Sequence, residues 1–325
     1  MIKKNLEIKE RNLALEAVRV TEAAALSASS WIGLGNEKKA DQAAVEAMRN
    51  SLNSLDINGE VVIGEGERDK APMLFIGEKV GNGNGPEVDI ALDPLEGTTI
   101  CATGGNNALT VMAFSSKGGF LNAPDVYMDK IAVGGNLPKD LIDIDDSPKI
   151  NLKNLARAKS IDINDLVVCI LNRPRHEEII AKCREAGSRI MLISDGDVSG
   201  IIATANEESG VDMYLGIGGA PEGVLAAAAL RCIGGQMQAR LKFNNQDEIE
   251  RANKLGIKDL NRRYSLLDLA SGDSMFAATG VTDGSMLKGV RIKGSKAYTE
   301  SIVMRSVSGT VRTIKAIHNL LIKPY

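Results

Sequence analysis

The sequence predicts an α/β protein, with an α+β first half and an α/β second half, and three observations carry that prediction. Two stretches of helical periodicity open the chain, short apolar runs then end in glycines, acids and prolines, and from about residue 166 strands and helices alternate. The 325 residues, 44% of them hydrophobic, suffice for two ordinary domains, which the sequence divides into 1–160 and 161–325.

In the first half, Leu13, Ala17, Val20 and Ala24 fall at helical spacing within 6–30, and Ala44, Val45, Met48 and Leu52 repeat the pattern over 41–55. Gly33-Leu34-Gly35-Asn36 separates these helices and leaves Asp41 near the start of the second. Trp31 is assigned to packing. Val61-Val62-Ile63 is a short buried strand running into Gly64-Glu65-Gly66-Glu67-Arg68-Asp69, whose glycines free the backbone to swing a carboxylate. Gly81-Asn82-Gly83-Asn84-Gly85-Pro86 precedes a strand instead of following one, so it is read as a hairpin or loop and not as a dinucleotide fingerprint. The strand after it, 88–92, runs into Asp93-Pro94-Leu95-Glu96-Gly97-Thr98-Thr99. Pro94 disfavours helical geometry at Asp93 and holds that carboxylate at the strand's end. Gly97 clears space for a ligand, and Thr98 and Thr99 open a helix whose first N–H groups favour an anion. Strands are expected at 108–114 and 130–133, with Tyr127 just before the second, placed either to touch ligand or to sit as an ordinary strand-edge residue.

A polar stretch with a lysine-rich helix, 143–159, marks the domain junction. Beyond it, strands 166–171, 190–193 and 212–215 alternate with helices 176–186, 198–205 and 221–230. Ligands in such sheets bind beyond the carboxyl ends of the strands. The loops there read Asn172-Arg173-Pro174-Arg175-His176, Ser194-Asp195-Gly196-Asp197 and Gly216-Ile217-Gly218-Gly219-Ala220-Pro221-Glu222-Gly223. Arg173 and Arg175 suit a phosphate by fork geometry, Asp195 and Asp197 suit sugar hydroxyls, and the glycine turn can lay N–H groups against an anion. After a polar segment at 244–263, strands are expected at 275–278, 290–293 and 301–305, and the tail is read as completing the second domain.

The net charge is −3, no long basic run interleaves with aromatics, and aromatics make up only 3%, so neither a nucleic-acid groove nor a base-stacking platform is expected. Cys101, Cys169, Cys183 and Cys232 form no C-x-x-C pair and read as reduced, buried thiols. The first residues lack the apolar core of a secretion signal, and the most apolar span, 224–230, is too short for a bilayer and is flanked by Glu222 and Arg231. No membrane partner and a cytoplasmic location are therefore expected.

Only two histidines, His176 and His318, and no G-x-S-x-G elbow leave little basis for a Ser-His-Asp nucleophile or a histidine-rich metal site. Oxygen ligation remains. Asp41, Glu65, Asp93 and Glu96, with Glu222 as a further candidate, suit Mg²⁺ or Mn²⁺. Carboxylates sharing a site repel one another unless cations neutralise them. Two ions about 3.5–4 Å apart can activate a water and stabilise a leaving oxygen, which is the chemistry of phosphomonoester hydrolysis. Thr98 would hold the water or the phosphate, and Asp69 or Glu65 would accept the proton, a choice that geometry must make.

Taken together and in order along nearly the whole chain, the hexapeptide Asp93 to Thr98, the Gly64 to Asp69 loop, Arg173-Pro174-Arg175-His176, Asp195-Gly196-Asp197 and Gly218 to Gly223 resemble class II fructose-1,6-bisphosphatase. The hexapeptide alone is similar to the signature of the lithium-sensitive sugar and inositol phosphatase superfamily. The resemblance implies a layered αβαβα sugar-phosphatase fold, a homo-oligomer (dimer or tetramer), and Mn²⁺- or Mg²⁺-dependent conversion of fructose 1,6-bisphosphate to fructose 6-phosphate in gluconeogenesis. It implies metal binding by Asp41, Glu65, Asp93, Glu96 and Glu222. Substrate contacts are implied at Glu96, Gly97, Thr98, Tyr127, Arg173, Pro174, Arg175, Asp195, Gly196, Asp197 and Gly219, and Asp69 and Thr98 match positions tied to catalysis. One departure stands out: many relatives carry a lysine four residues before the position of Asp41, where this chain has Glu37 followed by Lys38 and Lys39. The alternatives are another phosphatase of the superfamily, acting on sedoheptulose 1,7-bisphosphate, inositol phosphates or a nucleotide 3′-phosphate, and a sugar-phosphate-binding regulator without turnover.

Overall fold

The computed structural model describes residues 8–65 and 74–322. Helices α1 (Ile8–Ser29) and α2 (Glu37–Asn53) open the chain. The Asn36 side chain accepts the Lys39 N–H and so caps α2, which therefore begins before the apolar periodicity sets in and carries Asp41 in its second turn. Strands β1 (Asn58–Ile63), β2 (Lys79–Val80) and β3 (Glu87–Glu96) follow, then α3 (Thr98–Thr103), β4 (Leu109–Ser116), β5 (Tyr127–Gly134) and α4 (Pro148–Lys159). The 81–86 stretch is a loop, as expected.

The alternation read from the second half is present as β6 (Val167–Leu171), α5 (Glu177–Ala186), β7 (Arg189–Ile193), α6 (Asp197–Ala203), β8 (Met213–Gly219) and α7 (Ala220–Ile233). The chain continues through β9 (Gly235–Lys242), α8 (Gln246–Lys254), β10 (Tyr264–Ser265), α9 (Leu266–Leu269), β11 (Ser274–Gly280), β12 (Arg291–Lys293), β13 (Lys296–Arg305) and β14 (Thr310–Asn319).

Two sheets result. The first runs β12-β13-β11-β4-β3-β1-β2, with β14 also paired to β13, and the second runs β10-β9-β5-β8-β6-β7. Among the described residues, parallel pairing is confined to β1 with β3 and to β6 with β7 and β8. The tail departs from the sequence reading: β11 inserts between β4 and β13, so the C-terminal strands complete the first sheet. Phe276, Ala277 and Ala278 are fully buried, which suits β11 to a central place covered on both faces.

The core is layered helix, sheet, helix, sheet, helix. On one outer side α1 and α2 bury Val20, Ala24, Ala44 and Met48 against Ile90, Leu92, Met112 and Phe114 of the first sheet. Helix α7, almost wholly apolar from Val224 to Leu230, is buried all round between the two sheets. On the far side α4 and α5 cover the second sheet through Leu152, Leu155, Ile180 and Cys183. The period-two alternation of β5 sends Met128 and Ala132 to the middle layer and Ile131 and Val133 to the outer one. All four cysteines are free and buried. Among the described residues no helix is long and apolar enough to cross a membrane.

Candidate active site

Strand β3 does not stop at Asp93. It continues to Glu96 with a register shift against β4 between Asp93 and Glu96, around Pro94, which has no N–H for the ladder. The Leu95 N–H is instead accepted by Asp93 Oδ1 at 3.0 Å. The bulge turns both acids toward the middle layer, and Gly97 then hands the chain to α3 with Thr98 as its half-buried first residue.

Acids from four other segments meet this corner. Asp41 comes from α2, Glu65 from the end of β1, Asp195 and Asp197 from the β7–α6 turn, and Glu222 from the first turn of α7. Glu96 Oε1 accepts the Val198 N–H at 2.9 Å, which fastens the first sheet to the start of α6. Glu222 fits because its neighbour is glycine: a methyl group at Gly219 would lie 2.7 Å from Glu222 Cδ. Likewise, a methyl at Gly218 would lie 2.9 Å from Lys130 Nζ and 3.0 Å from Asp197 Cγ.

The electrostatics bear the marks of crowded acids. Burial raises the carboxyl of Asp41 above its usual range, against a hydrogen bond with Glu65 that lowers it. Glu65 is held well above its range by burial and then by Asp93, Asp41 and Glu222. Asp93 is raised by burial, Glu222 and Asp41, and Glu96 by burial, Asp93 and Asp197. Glu222 is pushed up to about 7 by burial and Asp197, with Lys130 opposing. Asp93, Glu65 and Glu222 each retain some accessible surface, so protein surrounds them without sealing them off.

Among the described residues no three such groups are drawn tightly enough to cage an ion as they stand. The donor set nonetheless fits a hard divalent cation. Asp41 Oδ1, Glu96 Oε2 and Glu222 Oε2 are buried with no hydrogen-bond partner, and every candidate ligand is a carboxylate oxygen. Buried oxygens without partners are costly unless something satisfies them.

Beside the acids lies a cationic shelf. The Arg175 guanidinium sits 4.8 Å from the centroid of the Tyr127 ring and donates through Nε and Nη2 to Ile217 O at 3.0 and 2.8 Å. Tyr127 lies directly across the ladder from Gly219. Arg173 Nη2 stands 3.9 Å from Asp195 Oδ1, a loose and half-exposed pair, and Pro174 opens the short 3-10 turn to His176.

Some motif residues serve the framework. His176 is fully buried, with Nδ1 2.7 Å from Leu171 O and Nε2 accepting the Ile217 N–H at 2.8 Å, so it is a neutral strut under the Arg175 loop. Burial holds its pKa down. Asp197 is buried, and its Oδ2 is taken by Lys130 and approached by Tyr214 Oη at 3.5 Å. The sequence reading overlooked Lys130 and Tyr214. A lysine in phase with Met128 and Ala132 on an apolar strand was the available signal for the first. Asp69, with Gly66, Glu67 and Arg68, lies outside the described residues. Lys39 stacks over the Trp31 ring at 5.2 Å, and Trp31 packs against the first core.

Comparison with known proteins identifies the family. Residues 11–318 match the family model described as bacterial fructose-1,6-bisphosphatase, glpX-encoded. The chain is 46% identical over 324 residues to the class 2 fructose-1,6-bisphosphatase of Haemophilus influenzae, covering 95% of this chain and 97% of that one. It is also 46% identical over 324 residues to fructose-1,6-bisphosphatase 1 class 2 of Escherichia coli K12, covering 95% and 96%. A solved structure titled as an extragenic suppressor from Pyrococcus furiosus superposes with a TM-score of 0.32 at 10% identity, over 61% of this chain and 73% of that one, too loosely to establish a shared fold. The matched span takes in every acid of the cluster and the Arg175 shelf, and the chain belongs to the class II, glpX-type fructose-1,6-bisphosphatases.

Proposed function

We propose that this protein hydrolyses the 1-phosphate of fructose 1,6-bisphosphate, giving fructose 6-phosphate and inorganic phosphate in gluconeogenesis. The observation that carries this reading is the meeting of five acids from distant segments, three with orphaned buried oxygens, beside an arginine shelf. Family membership at 46% identity supports the substrate. The family is metal-dependent. Asp41, Glu65, Asp93, Glu96 and Glu222 would hold Mn²⁺ or Mg²⁺, which supplies Lewis-acid polarisation of the phosphoryl group and an acidified water.

The chain's own residues do the rest. Thr98 and the N–H groups after Gly97 hold the 1-phosphate or the attacking water. Arg173 and Arg175 bind the distal phosphate, with Arg175 already oriented by Ile217 O and Tyr127. Asp195 accepts sugar hydroxyls, and Asp197 and Gly219 shape the floor. In the reaction the water oxygen bonds phosphorus and gives up a proton to a carboxylate of the site, the bond from phosphorus to O1 breaks, and the leaving sugar O1 takes up a proton from solvent. Glu65 and Asp69 are the two candidates to take the water's proton.

We assign the protein to the cytoplasm, as a homo-oligomer. The edge strand β7, which exposes Met191 and Leu192, is a surface suited to a second copy. Phosphate release from fructose 1,6-bisphosphate, sedoheptulose 1,7-bisphosphate, an inositol phosphate and a nucleotide 3′-phosphate, with Mn²⁺, Mg²⁺ or chelator, tests the reading. Preference for fructose 1,6-bisphosphate with loss of activity in chelator is expected. Binding without phosphate release would make the protein a regulator.

A further inference from the structure

Among the described residues Lys130 is the one lysine or arginine that is fully buried, and it lies between the two halves of the site. It stands on the face of β5 that carries Met128 and Ala132 toward the middle layer. Its ammonium forms an ion pair with Asp197 Oδ2 and donates to Gly219 O at 2.8 Å. Asp197 is the first residue of α6, whose Val198 N–H holds Glu96, and Gly219 is the N-cap of α7, whose first turn carries Glu222. A continuous polar chain therefore runs from Glu96 through Val198, Asp197, Lys130 and Gly219 to the start of the helix bearing Glu222. The space for it depends on Gly218, since a side chain there would fall on Lys130 Nζ.

We infer that Lys130 is a positioning residue that ties Asp197 to the N-terminus of α7 and so sets Glu222 for the divalent cation. It acts through these two groups, and its charge lies close enough to Glu222 to favour the carboxylate as well. This rests on the reading of the acids as metal ligands. A buried cation held at two fixed points is a rigid strut, because either movement strands a charge or a carbonyl.

The test is Mn²⁺ binding to the full-length protein, followed by the electron paramagnetic resonance signal of free aqueous Mn²⁺, alongside phosphate release and thermal melting. Lys130→Met keeps the stem and removes the charge. It should raise the Mn²⁺ half-saturation concentration by about 10- to 100-fold, the range for removing an outer-shell partner, and raise KM for fructose 1,6-bisphosphate. If the stranded Asp197 prevents folding, Lys130→Met with Asp197→Asn removes both charges. It should show the same loss of Mn²⁺ affinity, since Gly219 O still lacks its donor. Leu230→Ala, a cavity on α7 away from the acids, should lower the melting point and leave Mn²⁺ half-saturation unmoved. Wild-type Mn²⁺ affinity in a folded Lys130 variant, or an equal loss in Leu230→Ala, overturns the inference. A wild-type protein that binds Mn²⁺ but releases phosphate from no sugar bisphosphate would remove the proposed function while leaving the role of Lys130 standing.

Discussion

Gly219→Ala separates folding from function most cleanly. Gly219 has φ −64° and ψ 145°, an extended conformation that alanine adopts without strain, so the backbone tolerates the change. The added methyl instead runs into the Glu222 carboxylate, meeting Oε2 first, with Cδ at 2.7 Å. Ordinary carbon–carbon contact is about 3.5–4.0 Å, so the carboxylate must retreat by at least about 1 Å. The end of a glutamate swings away cheaply, and the fold should hold. Displacement of a reacting group by about 1 Å costs on the order of 100-fold in rate, or about 3 kcal/mol of transition-state stabilisation. The assay is kcat/KM for phosphate release at saturating Mn²⁺, with circular dichroism and a thermal melt on the same sample. A drop near 100-fold with a melting point within a few degrees of wild type is the expected outcome. Wild-type kcat/KM in the folded variant would show that Glu222 does not work from the place described for it.

Glu65→Ala and Asp93→Ala should each abolish turnover at any metal concentration, while the metal-free protein melts higher because a mutually repelling acid is gone; measurable turnover in either removes that residue from the mechanism. Glu222 titrates near 7 in the fold against an ordinary 4.5, so the folded state keeps a proton that the unfolded chain has released. Metal-free stability is thus fully present below about pH 4.5 and is lost as pH rises through about 7, with Glu65 and Asp93 acting in the same direction. Differential scanning calorimetry in chelator should show the melting point falling across that window, and a flat or rising profile would contradict the crowding of the acids. Arg175→Met should leave the melt unchanged and raise KM about 10- to 100-fold, the worth of a charged hydrogen-bonded contact; an unchanged KM would place the distal phosphate elsewhere.

Much of this was legible in the sequence because it is written in local patterns. The helices before residue 55, the strand that leads into Asp93-Pro94 and the strand–helix alternation after residue 166 are each set by periodicity and turn residues within one short window. Glu65, Asp93, Glu96 and Glu222 could be named for the same reason, since each lies where an apolar run meets a glycine, whereas Asp41 sits in a polar turn of α2 that no such pattern marks. What was illegible is non-local. Nothing near Met275 to Ala278 says that β11 inserts between β4 and β13, because the pairing is decided by partners far away in sequence. Asp197 reads from sequence as an acid for sugar hydroxyls, and only the fold brings Lys130, from a strand far away in sequence, onto its Oδ2. Strand β9 is a different case, since Met237, Ala239 and Leu241 alternate plainly with polar residues and mark a strand by local pattern alone.

The most direct measurement is a crystal of the full chain soaked with Mn²⁺ and fructose 1,6-bisphosphate, with anomalous data collected at the manganese edge. Anomalous peaks within about 2.0–2.2 Å of oxygens from Asp41, Glu65, Asp93 and Glu222, next to the 1-phosphate, are what convergent acids require. Manganese bound away from these side chains, or a substrate phosphate seated far from Thr98, would contradict the account.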